Sequence, residues 1–197
     1  MSNNKVPQYD NELVEKLASH IKSIIELLGE DPNREGLLKT PQRAAKALID
    51  NTSGYHSDAE RLIKQAIFSH DGNDMVIVKD IEFYSLCEHH ILPFYGTFTI
   101  GYIPDGEIVG LSKLARVVET YARRLQVQER LTKEVCDAVS SNLKNRGVIV
   151  VCEAAHMCIK MRGIEKQHST TITMHYCGDF EKVELQQRFF ALTQTKK

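Results

Sequence analysis

Met75-Val76-Ile77-Val78-Lys79-Asp80-Ile81-Glu82-Phe83, followed closely by Phe94-Tyr95-Gly96-Thr97-Phe98-Thr99-Ile100-Gly101-Tyr102-Ile103, is where a chain that begins with helical periods loses them. Both runs are rich in β-branched and aromatic side chains, which suit a pleated surface better than a helix, and both predict strands. The second ends at Pro104-Asp105-Gly106, a turn signal. The two strands are expected to pair through the loop around residues 85–93.

Upstream, Val14, Leu17, Ile21, Ile24 and Leu28 recur at helical spacing, with Gly29 as a stop, so residues 11–28 predict an amphipathic helix. Thr40-Pro41 supplies an N-cap and a first-turn proline for a second helix. Residues 58–68 predict a third. Downstream, Leu114, Val117, Val118 and Tyr121, then Leu131, Val135, Ala138, Val139 and Leu143, return to the helical period in two blocks. A break near residues 125–128 separates the blocks, and Gly147 closes the second. Residues 148–152, 157–161 and 170–175 predict strands, and residues 181–192 a last short helix. That order gives an α+β class with an antiparallel sheet. The expected organisation is an N-terminal helical appendage over residues 1–70 and a core over residues 71–197.

The whole chain of 197 residues carries 25 Lys+Arg against 26 Asp+Glu, a net charge of −1. That balance argues against a general nucleic-acid or anionic-membrane binder. With 42% hydrophobic and 26% charged residues, a packed core is available and intrinsic disorder is excluded. Five cysteines, an odd number without a dense framework, fit a reduced intracellular chain. No apolar run approaches the roughly 20 residues that span a bilayer, and residues 1–10 are polar with no secretory core. The expected address is cytoplasmic.

Four clusters carry chemistry. Cys87-Glu88-His89-His90 sets a thiol and imidazoles within reach of one metal ion. In His156-Met157-Cys158, read as a strand, His156, Cys158, Lys160 and Arg162 share one face and Met157, Ile159 and Met161 turn to the core. Together the two segments offer up to four Cys/His ligands, which points to zinc; three would leave a catalytic position open to water and four would make a structural site. Cys136, inside a helix, and Cys152, inside an apolar strand run, read as buried packing residues, and Cys177 is given no role. Gly110-Leu111-Ser112-Lys113 opens a helix carrying Arg116, Arg123 and Arg124, with a local charge of +3 over residues 111–130. Glycine and an N-capping serine there leave backbone N–H groups to hold phosphate beside Lys113, although no P-loop precedes them. Gln126-Val127-Gln128-Glu129-Arg130 places a carboxylate able to accept paired N–H bonds from a guanine or pterin edge.

These segments, with Asp31-Pro32-Asn33-Arg34-Glu35-Gly36-Leu37-Leu38-Lys39-Thr40-Pro41, Ser85-Leu86 before the Cys-Glu-His-His run, Leu114, Leu131 and the stretch to Arg162-Gly163, closely resemble GTP cyclohydrolase I. The resemblance spans about residues 10–190, and it is to the zinc-dependent form, which keeps the Cys…His…Cys triple. It implies a tunnelling fold, a four-stranded antiparallel sheet with two helices, whose subunits close into barrels stacked as a toroidal decamer. It implies zinc-assisted opening of the GTP imidazole ring at C8, loss of formate and rearrangement to 7,8-dihydroneopterin triphosphate, the start of folate and tetrahydrobiopterin synthesis. An allosteric effector or regulatory protein partner stays open.

Position by position, the resemblance makes Cys87, His90 and Cys158 the zinc ligands, with water in the fourth place. Zinc lowers the pKa of such a water to about 7. His156 becomes the general acid/base and His89 a second proton-transfer histidine. Glu129, with Gln128 beside it, anchors the guanine edge. Ser112, Lys113, Arg116 and Arg162 form the triphosphate pocket, and Arg43 reaches the phosphates from a neighbouring subunit. Residues 175–180 fall in a stretch that the family varies, which touches Cys177 and the closing helix rather than the chemistry. Two other readings are a binding protein with a structural zinc and another tunnelling-fold enzyme, such as a deazaguanine nitrile reductase, which uses a cysteine nucleophile and needs no metal triple.

Overall fold

A computed structural model describes residues 9–194, so the polar opening of the chain, up to Gln8, lies outside the described residues. The contacts divide the chain into two compact units that meet between Thr52 and Ser53. The segment 53–70, expected with the N-terminal helices, therefore clusters with the core.

In the first unit, helix α1 (Asn11–Leu27) starts where Asp10 accepts the N–H groups of Glu12 and Leu13, and Gly29 ends it at φ +85°. Helix α2 (Thr40–Asn51) carries Pro41 in its first turn. Lys39, not Thr40, holds the cap position; Thr40 is already helical and turns its hydroxyl back to the Gly36 carbonyl at 3.4 Å. Val14, Ala18 and Ala45 form a small core with Leu17 and Ile21 against it, while Ile24 and Leu28 stay exposed.

The second unit holds the site. A 3₁₀ turn (Ser53–His56) leads to α3 (Ala59–Lys64), capped by Asp58. That helix is shorter than expected because β1 (Ile67–Ser69) leaves it to pair with β4 (Glu107–Val109). Strands β2 (Val76–Cys87) and β3 (Pro93–Pro104) form the expected antiparallel hairpin, irregular between Val78 and Ile81, where Asp80 takes φ +60°. Helix α4 (Leu111–Ala122), β5 (Leu125–Gln126) and α5 (Gln128–Asn142) follow. Then come β6 (Asn145–His156), a single turn α6 (Met157–Lys160), β7 (Thr171–Gly178), a second 3₁₀ turn (Asp179–Glu181) and α7 (Val183–Thr193).

The main sheet runs β5-β2-β3-β6-β7, antiparallel apart from the pairing of β5 with β2. The class is α+β, and the sheet expected as four-stranded gains the two-residue β5. Helices α4 and α5 bury Leu114, Val117, Val118, Leu131 and Val135 against Phe83, Phe94, Phe98 and Val150 of the sheet. On the opposite face α7 sets Phe189 against Ile103, Ile149 and Phe180. A Cβ on Gly101 would come within 2.8 Å of that phenylalanine ring, which explains glycine in mid-strand. Beyond α7 the same face exposes Tyr84, Tyr95, Ile172, Met174 and Tyr176.

Two expectations fail here for one reason: strands extend as far as a neighbour exists. Gly147 lies inside β6, opposite Ile103 and Gly178, rather than ending a helix. Residues 157–161 are not a strand, because the β3–β6 ladder finishes at Phe94 opposite His156 and the freed chain coils into α6. His156 and Cys158 therefore do not share a strand face, and no residue of α6 is buried; Met161 is 58% exposed.

Candidate metal centre and its cleft

Strand β2 delivers Cys87 to the edge of the core, 6% exposed, and the chain turns back at once. The Cys87 N–H donates to the Leu92 carbonyl at 2.8 Å, while Ile91 and His90 donate to the Cys87 carbonyl at 2.8 and 3.2 Å. This turn leaves Nδ1 of His90 3.8 Å and Nδ1 of His89 3.9 Å from Cys87 Sγ. Cys158 arrives from the first turn of α6. One ligand atom from each of Cys87, His90 and Cys158 lies within 4.8 Å of the others. Two soft sulfurs and an imidazole nitrogen at that separation suit a tetrahedral zinc ion, whose bonds to sulfur and nitrogen run about 2.3 and 2.0 Å. Burial and the neighbouring Cys87 thiol push the Cys158 thiol up. A dication held between the two would reverse that preference and favour both thiolates.

His156 closes β6 beside this triple. Its ring stacks on Phe94, with centroids 4.7 Å apart and planes 3° from parallel. Its Nε2 lies 2.7 Å from Oε1 of Gln128. The amide is fixed: Nε2 of Gln128, a residue 1% exposed, donates to the carbonyls of Cys152 and Thr171 at 3.1 and 3.0 Å. Oε1 is then an acceptor only, so the proton sits on His156 Nε2 and Nδ1 is the free base. Burial lowers the pKa of His156, opposed by the negative charge of Glu129. Glu129 stands exposed at the start of α5. A cleft of about 220 Å³ gathers Cys87, His89, His90, Gln128, Glu129, His156 and Cys158.

The other expected residues are not among those that line this cleft. Ser112 and Lys113 occupy the first turn of α4, where Gly110 is the cap and no side chain caps the helix, so Ser112 is not the N-cap. Lys113 Nζ donates to Oε1 of Gln65 at 3.2 Å. Arg116 lines a separate hollow with Ser53, Gly54 and Arg123. Arg162, exposed just beyond α6, is close enough for its charge to favour the Cys158 thiolate. Arg43 is exposed on α2 of the first unit. All five cysteines are free. Cys136 and Cys152 are fully buried, and burial pushes the Cys152 thiol up to about 12. Cys177 packs against the same core and donates to Ser140 Oγ at 3.2 Å.

Sequence reading gave no role to Phe94 or Thr171, which no local pattern marks because both act through strand register. It also passed over the ion pair between Glu88 and Arg130, although both residues stand inside segments it singled out.

The GTP cyclohydrolase I family profile matches residues 17–194. GTP cyclohydrolase 1 of Bacteroides thetaiotaomicron is 53% identical over 181 residues, which is 92% of each chain. The protein of the same name in Dictyostelium discoideum is 49% identical over 190 residues, covering 96% of this chain and 82% of its own. That of Saccharomyces cerevisiae is 52% identical over 184 residues, 93% of this chain and 76% of its own. A family profile over residues 17–194 and identity near half across nine-tenths of the chain leave one assignment: the chain belongs to the GTP cyclohydrolase I family.

Proposed function

We propose that this chain hydrolyses GTP to 7,8-dihydroneopterin triphosphate and formate, using the cleft beside Cys87. The observation that carries the reading is the meeting, in a chain of this family, of a Cys87–His90–Cys158 triple with a base-ready His156 and an exposed carboxylate at Glu129. Zinc held by those three side chains supplies, when bound, Lewis-acid activation of water near neutral pH.

The chain's own residues supply the rest. Glu129 accepts the amide N–H and the exocyclic amino group of guanine, which sets C8 toward the ligand triple. Gln128, whose amide is committed to Cys152, Thr171 and His156, orients the imidazole rather than reading the base. His156 takes a proton at Nδ1 as water adds to C8 and returns it to the ring nitrogen that departs when the C–N bond breaks. His89, exposed in the same turn, serves the second proton transfer as the formamide is hydrolysed and formate leaves. The ribose then rearranges and closes on the freed amine with loss of water, so one water is consumed overall.

Ser112, Lys113, Arg116 and Arg162 bind the triphosphate, with Arg43 from a neighbouring subunit. Arg43 belongs to α2, Ser112, Lys113 and Arg116 to α4, and Arg162 follows α6; a toroidal decamer of tunnelling-fold subunits brings them to one cleft. Arg116 at its separate hollow supports that arrangement. The reaction opens folate or tetrahydrobiopterin synthesis in the cytoplasm. Among the described residues no helix is long and apolar enough to cross a membrane.

Incubation of the purified chain with GTP, followed by oxidation, is expected to yield a fluorescent pterin and one formate per pterin. Release of phosphate without formate would contradict the assignment.

A further inference from the structure

The turn that carries Cys87, His89 and His90 is strained. Ile91 holds φ +53°, a region β-branched residues avoid, yet its side chain is 55% exposed, so packing does not impose the conformation. What pins the turn from outside is Glu88. Its backbone N–H donates to the Gln126 carbonyl at 3.0 Å, and its carboxylate pairs with Arg130 Nη2 through one oxygen while the other lies 3.9 Å from His89 Nε2. Arg130 in turn donates from Nε to Oε1 of Gln126 at 3.0 Å and from Nη2 to the Leu125 carbonyl at 3.2 Å. Gln126, 1% exposed, is anchored at its other end by the Tyr121 carbonyl at 3.1 Å and by Glu134 at 2.6 Å.

One planar guanidinium therefore grips the metal-ligand turn and β5 together, and it belongs to the residue after Glu129. The Arg130 and Glu88 side chains are 43% and 34% exposed, and ion pairs that open to water add little to global stability. Their use lies in placement. We propose that Arg130 is a positioning residue: by holding Glu88 and Gln126 at once, it fixes the turn of Cys87, His89 and His90 in register with Glu129, so that metal ligands and guanine anchor move as one body.

The proposal rests on the metal and guanine reading above. Lysine keeps the charge but has one nitrogen in place of the fork, so Arg130→Lys cannot span Glu88 and Gln126 together. Glu88→Gln removes the charge from the other side. For parent and variants, zinc affinity is measured by chelator competition with the metal alone, the thermal midpoint on metal-free full-length chain, and kcat and KM for GTP at saturating zinc. Both variants are expected to stay folded, with metal-free midpoints within about 4 °C of the parent, and to bind zinc about 10–100-fold more weakly. At saturating zinc, kcat is expected to remain lowered and KM raised, because Glu129 has lost its register with the turn. Parental affinity and kinetics in Arg130→Lys would overturn the proposal. So would a loss of zinc affinity fully accounted for by a fall in the metal-free midpoint. A parent chain that does not compete for zinc would overturn the metal reading and this proposal with it, whereas parental zinc binding without GTP turnover would fault the substrate reading and leave the affinity comparison decisive.

Discussion

The imidazole of His156 is held on two sides, by the Phe94 ring against its face and the Gln128 amide at Nε2, and little freedom remains for the proton it carries. Because burial lowers its pKa, the ring stays neutral and ready to act as a base to lower pH than a free histidine. Glu129 has a different task, and its removal separates binding from metal loading. Glu129→Gln is expected to raise KM for GTP about 10–100-fold, the worth of a hydrogen bond to a charged group, with zinc content unchanged, as steady-state kinetics beside metal analysis would show. Unchanged KM would remove Glu129 from the guanine site. At this scale part of the candidate metal group was legible: Cys87 and His90 stand three residues apart in sequence, and a thiol with an imidazole at that spacing suits a metal ion. The commitment of Gln128 was not, because its partners are the carbonyls of Cys152 and Thr171, which only the β6–β7 register brings to it.

At the level of elements, α5 ties the site to the core, placing Gln128 and Glu129 at its start and Leu131, Val135 and Val139 beneath. Leu131→Ala removes a fully buried side chain and is expected to cost about 2–5 kcal/mol in urea unfolding. Gly96 is constrained by backbone: an added Cβ would stand 1.9 Å from the Glu153 carbonyl oxygen and 2.7 Å from Ala154 Cα. Gly96→Ala is accordingly expected to force β3 from β6 and lower the thermal midpoint. At the far end of β6, Lys182 and Arg146 hold the Asp179 carboxyl below its usual range. A carboxylate with a lowered folded-state pKa adds stability above its unfolded value, 3.8, and loses it as pH falls through the folded value. Asp179→Asn should therefore lower the midpoint at neutral pH, with the difference vanishing in strong acid; a pH-independent difference would contradict the linkage. The long strands and α1, α4 and α5 could be read from their periods. What escaped was the two-residue β5, the shortening of α3 and the coil of α6, each decided by whether a neighbouring strand is present rather than by local preference.

Taken whole, the molecule keeps a net charge of −1 while the cations proposed to hold a triphosphate lie on separate elements, and one face of its sheet leaves Tyr84, Tyr95, Ile172 and Met174 uncovered. Composition concealed the first point because opposite charges elsewhere cancel it. If sites are shared between subunits, a mixed oligomer of Cys158→Ser and Arg43→Ala chains is expected to recover activity that neither has alone, since some clefts then combine intact halves. Absence of recovery after co-refolding would place Arg43 outside the site. The proposed activity turns on one chemistry at one triple, Cys87, His90 and Cys158. Zinc stoichiometry and formate release from GTP, measured on the same preparations of parent and Cys158→Ser, test it most directly. One zinc per chain with formate from the parent, and loss of both in a variant whose circular dichroism is unchanged, is the predicted result; undiminished formate from the zinc-free variant would contradict it.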